Sequence, residues 1–583
     1  MNTEYKPHPT APDVGSAALD PENLVSKATT SPAEQPSETT VGFEPTLDRG
    51  YVAQGAMLNV ASTILTLPAI DTGEAERLPL SNFAMGEATA EQELPAILVQ
   101  PGHLTQALDA VEDVLARTGS HYRRGNRLVR ISVDPHTQLH SIQEVTAQNL
   151  IVTLAGVSRW LRFDQRAGGW RTIDPCPRVC NLLVDSWPFS RLPVLSALAY
   201  QPHLRQDGTV CSTPMYDSMS GIFGVFNEDA AAVPSHPMRE QALEALAILN
   251  DLLAECAFAG PEDKAAALSA LLTAAVRPGL PQAPMFHVMA HQPGSGKSYL
   301  CQLITAMATS APGAPMAFPR SNDACDKLLL ARLMRAPAVI EFDNLTTDLR
   351  AFDKLCTALT SEHIEGRDLG TSRTMQVGTR TLFLSSGNNV RPVEDMIRRC
   401  VCIYLDPGVE TPAARTYKRP SMLADVKRER HKYVAAALTV VRAWIVAGRP
   451  MTGAPPFSSY VDWSAWCRQP LLWLDHPDPV ASVFKGMAND PAHLLLNRVL
   501  NGIKEQHDQA SVKVREIIAS SHSMGENEDF RDALAEAAGG PDTVNARKLG
   551  HWLARHEGRV ANGLRLRRGS GGGNVECWRV ESV

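Results

Sequence analysis

One short stretch of the chain has the residue types and spacing to hold a phosphate group. Residues 291–298 are HQPGSGKS; the apolar run MFHVMA precedes them, and Leu300, Leu303, Ile304 and Met307 follow at helical spacing. A strand, a glycine-rich loop and a helix in this order aim backbone N–H groups and the positive end of the helix into one concavity. The sequence therefore predicts a phosphate-binding loop, and the alternative is a surface loop that happens to contain Gly-Lys-Ser.

The residues of this loop have distinct expected roles. Lys297 is expected to reach the β- and γ-phosphates of ATP, and Ser298 to coordinate Mg²⁺. The loop departs from the pattern G-x-x-x-x-G-K-[ST] at its first position, where this chain has His291. The predicted nucleotide-binding residues are Pro293, Gly294, Ser295, Gly296, Lys297, Ser298 and Tyr299.

Two later apolar runs are predicted to be strands that bring further polar groups to the loop. The run APAVIEFDN contains Asp343, the second predicted Mg²⁺ ligand, at its end. Glu341 and Asn344 are both candidates for the group that orients the attacking water, and the sequence leaves that choice open. The run TRTLFLSSGNNV places Asn388 at a strand end, where an amide holds water without repelling an anion. The alternative for this Asn pair is an ordinary turn.

An arginine pair, Arg398 and Arg399, follows the Asn-bearing strand in the segment EDMIRRCVCIYLD. A guanidinium that reaches the γ-phosphate held by a neighbouring subunit would stabilise charge in the transition state as an arginine finger. Taken alone, the pair is better explained as two surface arginines. It becomes a catalytic candidate only together with the three preceding elements.

The bulk composition indicates a globular protein that works inside the cell. The 583 residues carry a net charge of −7, with 44% apolar and 20% charged residues, which excludes a uniformly basic nucleic-acid coat. Eleven cysteines without paired spacings fit a reducing cytoplasm, and Cys176 and Cys180 are expected to be ordinary thiols rather than metal ligands. No secretory signal or bilayer-spanning run is visible, so we expect a cytoplasmic protein without a membrane partner.

We expect an α/β protein with four regions. Seven prolines and few aromatic residues predict a disordered tail over residues 1–50. A mixed α+β domain of unknown role is expected over 51–230, and within it residues 95–133 are predicted to form a strand, a helix, a turn and a strand. An ATPase with a helical collar and lid is expected over 231–480, and a basic domain over 485–583. The N-terminal half contains neither a clustered Asp-x-Asp pair nor a zinc ribbon, so no primase is predicted.

The last region concentrates positive charge. Residues 547–579 contain eight Lys or Arg residues against two acids, in a chain that is acidic overall. A helix beginning near Asn545 is predicted to bury Leu549, Trp552 and Leu553, and two strands around a glycine-rich turn follow it, which together resemble a winged helix. The predicted DNA-binding residues of this region are Arg547, Lys548, Arg555, Arg565, Arg567 and Arg568. The alternative is a solvated basic face with a flexible hairpin.

The four central elements together resemble a known family. GSGKS, VIEFDN, LFLSSGNN and IRRCVCIYLD occur in this order within about 120 residues. This arrangement resembles the AAA+ ATPase core of superfamily 3 helicases, in particular the primase–helicase-like replication proteins of phages, satellite phages and integrative elements. Residues 200–223 and 463–479 are similar to the segments that flank the core in that family. The resemblance covers roughly residues 95–580 and is strongest over 285–410.

The resemblance implies a homo-hexameric ring with ATP at the subunit interfaces, in the cytoplasm of a bacterium. The residues that it implies within one subunit are Lys297, Ser298, Asp343 and Asn388. Arg399, or else Arg398, would reach in from the neighbouring subunit. Helicases of this class carry a β-hairpin that lines the DNA channel, which implies such a hairpin over 366–380, with Arg373 and Arg380 at the DNA backbone.

Two functions of different classes follow from these expectations. The first is an ATP-dependent DNA helicase or translocase that acts as a ring on single-stranded and forked DNA, in replication of a phage or mobile genetic element, with a primase or other replication proteins as further candidate partners. The second is a DNA-binding ATPase switch or scaffold that does not unwind DNA, because His291 and Asn344 both depart from the commonest motif forms. A small-molecule P-loop kinase is disfavoured, since it gives no role to the arginine pair or to the basic region.

Overall fold

The computed structural model describes residues 94–136, 140–226, 232–367, 374–522, 528–538, 544–570 and 576–583. The expected disordered tail, residues 1–50, lies outside these ranges, and so does the channel candidate Arg373. Residues 571–575, which form most of the glycine-rich turn of the last region, lie outside them too.

The first part of the described chain is a small α/β unit with two three-stranded sheets. Its elements are β1 (Ala96–Val99), α1 (Leu104–Arg117), β2 (His121–Arg124), β3 (Arg127–Val133), β4 (His140–Glu144), α2 (Ala147–Val157), β5 (Arg159–Asp164), β6 (Gly169–Ile173) and α3 (Pro177–Ser186). Strand β5 lies between β1, which is parallel to it, and β6, which is antiparallel, while β2, β3 and β4 form an antiparallel meander. Ile97 and Trp160 are buried in one cluster with apolar residues of α1, α2 and α3. The predicted first strand, helix and last strand are confirmed, but the predicted turn RRGN is only partly so, because its two arginines end the additional strand β2.

A group of short strands follows this unit. They are β7 (Ala197–Ala199), β8 (His203–Leu204), β9 (Val210–Cys211), β10 (Met215–Asp217) and β11 (Ile222–Gly224). Arg205 donates to Asp217 from Nε (2.8 Å to Oδ2) and from Nη2 (3.1 Å to Oδ1), and His203 Nε2 lies 3.4 Å from the same carboxylate. His203, Cys211 and Asp217 each place one potential metal-ligand atom within 4.8 Å of the others. Because the guanidinium already neutralises the carboxylate, we interpret this cluster as a structural ion pair.

A four-stranded parallel sheet forms the core of the middle region. The elements of this region are α4 (Arg239–Leu252), α5 (Pro261–Val276), β12 (Met285–Ala290), α6 (Lys297–Ala308), α7 (Asn322–Leu333), β13 (Val339–Leu345), α8 (Asp353–Thr360), β14 (His363–Arg367), β15 (Thr374–Gly378), β16 (Leu382–Asn388) and β17 (Cys400–Leu405). The strand order is β13-β16-β12-β17, so β12 has a parallel neighbour on each side. Phe286 and Val288 enter one apolar cluster with α5 and α6, while Met285 enters another with α7 and α8. This two-sided burial is typical of parallel sheets and explains the continuous apolar run.

Helices after the sheet hold the far end of α6. They are α9 (Met422–Arg428), α10 (Arg430–Val446), α11 (Val461–Trp463), α12 (Gln469–Trp473) and α13 (Ala481–Ala488). Arg430 donates from Nε to Ala306 O (2.9 Å) and from Nη2 to Met307 O (2.8 Å), both in the last turn of α6. Its Nη1 donates to Tyr200 O (2.8 Å), just after β7. One guanidinium therefore joins α6, α10 and the region of short strands.

The last region has a hydrophobic core of its own. Its elements are α14 (Pro491–His507), β18 (Val512–Lys513), α15 (Val514–Ser520), α16 (Glu528–Ala538), α17 (Ala546–His556), β19 (Val560–Ala561), β20 (Leu564–Gly569) and β21 (Cys577–Ser582), with the sheet order β18-β21-β20-β19. The Asn545 side chain accepts a hydrogen bond from the backbone N–H of Lys548 at 3.0 Å and caps α17. Leu549, Trp552 and Leu553 are buried. The predicted helix, its inward residues and the two strands after it are confirmed.

The longest helices of the described chain are α10 and α14, with 17 residues each. Within the described ranges, no helix combines the length and the apolar character needed to cross a lipid bilayer.

We expect Gly502→Ala to loosen the last region, although alanine favours helices. A Cβ at Gly502 in α14 would overlap three ring carbons of Phe530 in α16, so the two helices must move apart. Overpacking of this kind costs about 1–3 kcal/mol, against a gain in helix propensity of about 1 kcal/mol at most. Amide hydrogen exchange in peptides from α14 should become faster.

Gly550→Ala in α17 is the matched control, because the nearest atom to its added Cβ is Val514 Cγ2 at 3.8 Å. This substitution should leave amide exchange unchanged or slow it. Equal protection of α14 in the Gly502→Ala variant and in the unaltered protein would show that the contact between α14 and α16 does not stabilise this region.

Candidate nucleotide site

The predicted phosphate loop connects β12 to α6 at the carboxyl edge of the parallel sheet, which is the edge where such sheets bind ligands. Gly294 (φ 77°) and Gly296 (φ 90°) have left-handed backbone conformations that glycine adopts without strain. A side chain at Gly294 would also meet Ala413 at 3.0 Å, whereas nothing lies within 4 Å of a Cβ at Gly296. The two glycines therefore shape the loop and leave open space beside the start of α6.

Lys297 is the first residue of α6 and is only 8% exposed. Its Nζ donates to Asn388 Oδ1 at 2.6 Å and lies 3.4 Å from Gln292 O. Burial lowers the pKa of this ammonium group, while the negative charge of Asp343 acts in the opposite direction. Two predicted site residues 91 positions apart in the sequence are thus brought into direct contact.

Ser298 and Asp343 form the second pair that the structure brings together. Ser298 Oγ lies 3.3 Å from Asp343 Oδ1, and the same oxygen accepts a hydrogen bond from Ser386 Oγ at 2.5 Å. A hydroxyl and a carboxylate are hard oxygen ligands of the kind that Mg²⁺ takes, so these residues fit the predicted ion. Sequence reasoning missed Ser386. It lies two residues before Asn388, on the same side of β16, and that alternation is the signal that identifies it.

The two candidates for orienting the attacking water lie in different environments. Glu341 is 8% exposed, and burial, together with the negative charge of Asp343, raises its pKa to about 7. Asn344 is exposed, with φ 56°, where the register between β13 and β16 shifts. The carboxylate candidate therefore lies inside the strand, and the amide candidate lies at its exposed end.

The departure from the loop pattern at His291 has a partner in the structure. His291 Nδ1 and Asn389 Oδ1 are 2.9 Å apart, and Asn389 Nδ2 donates to His291 O at 3.2 Å. The backbone N–H of Asn389 donates to Ala290 O at 3.1 Å. His291 thus ties the loop to the residue beside Asn388, a contact that glycine has no side chain to make.

A buried histidine joins the same two strands below the site. His287 of β12 has no exposed surface, and its two ring nitrogens lie 2.8 Å from Ser385 Oγ and 2.9 Å from Val390 O. Burial lowers the pKa of His287 to about 4, so the ring is neutral at physiological pH. Strands β12 and β16 are therefore joined by side-chain hydrogen bonds as well as by backbone ones.

The structure separates the two arginine-finger candidates. Arg399 donates to Asp395 Oδ2 at 2.8 and 2.9 Å and to Thr360 Oγ1 at 2.8 Å, and its side chain is 10% exposed. Arg398 also contacts Asp395, and its Nη1 donates to Ser459 Oγ at 3.2 Å, but its side chain is 42% exposed. This geometry does not support the preference for Arg399, because its guanidinium is buried as well as engaged. Arg398 is the exposed member of the pair.

Strands β14 and β15 pair in an antiparallel hairpin where the channel hairpin was expected. Arg380 follows this hairpin and turns inward, with Nη1 donating to Pro278 O (3.0 Å) and Nη2 3.6 Å from a carboxylate oxygen of Glu362. This position conflicts with the expected contact between Arg380 and DNA; Arg380 braces the base of the hairpin instead. Sequence reasoning missed Arg367, which is exposed at the last position of β14 in the same basic segment.

A pocket opens behind the phosphate loop. Its lining includes Ser295, Gly296, Tyr299, Cys256, Arg415 and Tyr417. Burial raises the pKa of the Tyr299 phenol, and the Arg415 guanidinium carbon lies 5.4 Å from the centre of the Tyr417 ring. The volume of this pocket, about 20 Å³, is room for a water molecule rather than a nucleobase. Pro293 lies on the exposed outer side of the loop.

The predicted DNA-binding residues of the last region differ in exposure. Those that are exposed are Arg547, Lys548, Arg555, Arg567 and Arg568, and Arg565 is half-buried. Arg568 pairs with Glu557 and Glu576, each at 2.9 Å, so much of its charge is already neutralised. The three basic residues on α17 therefore form the more available part of this set.

Comparison with known proteins gives only distant similarity. No protein-family model and no curated protein matches the chain. Among solved structures, the A form apo structure of the NrS-1 C-terminal region has 11% sequence identity and a TM-score of 0.33, and the match covers 80% of this chain and 98% of that one. A JCV helicase with a bound thiazolopyridine compound has 14% identity and a TM-score of 0.18, with 42% and 73% covered. Both scores are low, and we therefore interpret the site from its own geometry.

The neutral His287 is expected to make stability depend on pH. Its pKa is about 4 in the folded chain, against an ordinary value of 6.5, so between these values the unfolded chain binds the additional proton. Its stabilising contribution is therefore complete above about pH 6.5 and is lost as the pH falls towards about 4, by about 3 kcal/mol at most. In His287→Gln, an amide keeps hydrogen-bonding capacity without titrating, so the unfolding free energy should change less over this window.

Urea unfolding of both proteins, measured at several pH values across this window, provides the test. His551→Gln on the exposed face of α17 is the control and should leave the pH profile unchanged. Parallel profiles for His287→Gln and the unaltered protein would contradict the expectation.

Proposed function

We propose that this protein is an ATP-driven motor on single-stranded DNA, a ring-forming helicase that serves replication of a phage or mobile genetic element. One observation carries the proposal: Lys297 contacts Asn388, and Ser298 lies beside Asp343, at the carboxyl ends of three neighbouring parallel strands. This set supplies a cation for the phosphates, two oxygen ligands for Mg²⁺ and an amide beside them. Those are the groups that phosphoryl transfer from a nucleoside triphosphate requires.

Hydrolysis in this site would depend on positioning and charge. ATP phosphates at the start of α6 would take the Lys297 ammonium from Asn388, which leaves the Asn388 amide to hold the attacking water. Mg²⁺ held by Ser298 and Asp343 would neutralise phosphate charge. We assign the role of general base to Glu341 rather than Asn344, because a carboxylate accepts a proton and an amide does not.

The exposed Arg398 and the family resemblance support a ring as part of this proposal. A guanidinium at the start of β17 would stabilise transition-state charge in the site of a neighbouring subunit. A homo-hexamer with six such shared sites is the arrangement that the resemblance implies.

DNA contacts are proposed at two places. The β14–β15 hairpin would line the channel, with Arg367 and Arg373 near the DNA backbone. The helix α17 would present Arg547, Lys548 and Arg555 as a winged-helix surface for the origin or the fork. Both would bind phosphates, so their contribution should fall steeply as salt is raised.

One observation favours the second function, a DNA-binding switch or scaffold that does not unwind DNA. The exposed end of β13 carries the amide of Asn344, and the nearby carboxylate of Glu341 is buried. A site with this arrangement would release a water proton slowly. The protein would then report which nucleotide it holds instead of moving along DNA.

We expect single-stranded DNA to stimulate ATP hydrolysis by about tenfold and Lys297→Ala to abolish hydrolysis with and without DNA, because Lys297 is the only Lys or Arg in the loop 291–298. Phosphate release, measured with and without oligo(dT), is the assay, and strand displacement from a forked substrate follows. An ATP hydrolysis rate that DNA does not change, or DNA binding without any hydrolysis, would contradict the DNA-motor function. Either result would favour the switch or scaffold function.

We expect Arg398→Ala to lose most ATPase activity, by a factor of about 10³ or more, without loss of thermal stability. In a ring with shared sites, mixing Arg398→Ala subunits with Lys297→Ala subunits should restore part of the activity, since the Lys297→Ala subunit still supplies Arg398 to its neighbour. Arg399→Ala is the comparison variant and should lower stability instead, because its guanidinium is buried against Asp395 and Thr360. If mixing the two variants restores no ATPase activity, the proposed action of Arg398 in the site of a neighbouring subunit is wrong.

A further inference from the structure

The sheet of β1, β5 and β6 in the first unit has one bare face. On its covered side, Ile97 and Trp160 are buried under helices. On the other side, Leu98, Phe163 and Trp170 are 46%, 41% and 44% exposed. Nothing in the nucleotide site makes use of this surface, which lies on a separate part of the chain.

The strand register places the two aromatic rings side by side. Phe163 and Trp170 are directly opposite each other in the β5–β6 pair, so they lie on the same face. Their ring centres are 5.5 Å apart and the rings meet edge to face at 74°. Leu161, two residues before Phe163, and its partner Leu98 on β1 extend this face. The result is an exposed aromatic platform with an apolar border.

The same hairpin is strongly basic. Residues 159–173 contain four arginines and one acid, Asp164. Asp164 is already engaged, since Oδ1 accepts from the backbone N–H of Arg166 (2.9 Å) and Oδ2 pairs with Arg171 (3.1 Å). Strand alternation puts the exposed Arg159 on the same face of β5 as Leu161 and Phe163, and Arg166 is exposed in the turn between β5 and β6. Arg162 and Arg171 are directly opposite each other on the other face, where Asp164 offsets part of their charge.

We propose that this aromatic platform, formed by Phe163 and Trp170 with Arg159 on the same face and Arg166 at the turn, binds single-stranded DNA. Every base has a flat face that stacks on an aromatic ring, and the phosphates between bases match the excess of arginines. A duplex hides the faces of its bases, so the platform selects unpaired strands. This contact is additional to the ATPase function, because it lies on the first unit, for which the sequence predicts no chemistry.

The test measures binding of a fluorescent oligo(dT) of about 30 nucleotides to the full chain by anisotropy, without nucleotide. The double variant Phe163→Ala with Trp170→Ala should weaken affinity by about tenfold or more, since stacking contributes on the order of 1–3 kcal/mol per base. Both side chains are exposed, so the fold should be retained, as circular dichroism will show. Val152→Ala is the control, because Val152 is a 75% exposed apolar residue on α2 of the same unit and should not change affinity.

A second variant separates stacking from simple apolar docking of a protein partner. Phe163→Leu with Trp170→Leu keeps apolar area but removes both rings, and it should weaken oligo(dT) binding as much as the alanine variant does. Retained affinity in the leucine variant, or in both variants, would overturn the proposal. The platform would then be a surface for an apolar or acidic protein segment.

Photo-crosslinking localises the contact independently of affinity. Oligo(dT) that carries 5-iododeoxyuridine should crosslink to the tryptic peptides Phe163–Arg166 and Ala167–Arg171, which contain the two rings. Crosslinks confined to other peptides would contradict the proposal. Binding and crosslinking are both measured without ATP, so a failure of the ATPase proposal leaves this test unaffected.

Discussion

The parallel pairing of β12 with β16 is the constraint on which the candidate site depends. Three contacts between pairs of side chains join the β12 segment to the β16 segment. They are His287 with Ser385, His291 with Asn389, and Lys297 with Asn388. Their partners are 91 to 98 residues apart in the chain. A shift of one residue in this register would turn the polar ends of β16 away from the loop. The position of the Asn388 amide is therefore fixed by the core of the sheet rather than by the loop itself.

Features that depend on neighbours in sequence could be predicted. The phosphate loop was visible because a buried strand, two glycines and an amphipathic helix are adjacent, and each leaves a local pattern. The helix α17 was visible for the same reason, since Asn545 caps it and Leu549, Trp552 and Leu553 recur on one face. Hydrophobic periodicity and capping reflect short-range physics, so one chain is enough to reveal them.

Features that depend on where a side chain points could not be predicted. Arg398 and Arg399 are adjacent and chemically identical, and both contact Asp395. Arg399 also donates to Thr360 and is buried, whereas Arg398 stays exposed. Arg380 is likewise turned inward by the carbonyl of Pro278, a residue about 100 positions earlier. The aromatic platform was invisible for a related reason, because the pairing of β5 with β6 and the bare side of their sheet emerge only from the tertiary structure. Spacing locates a strand end, but it does not tell which side chains reach solvent.

Arg430 has a mechanical consequence for the phosphate-loop helix. The carbonyls of Ala306 and Met307 belong to the turn that an α-helix leaves unpaired, and the guanidinium that takes them also places positive charge at the negative end of the helix dipole. Helix α6 is thereby held at its C-terminal end, while its N-terminal end faces the candidate phosphate site. A displacement of α6 on phosphate binding would pull the same guanidinium and, with it, the carbonyl of Tyr200. The binding of a nucleotide would then be transmitted through α6 and Arg430 to the short strands after β7.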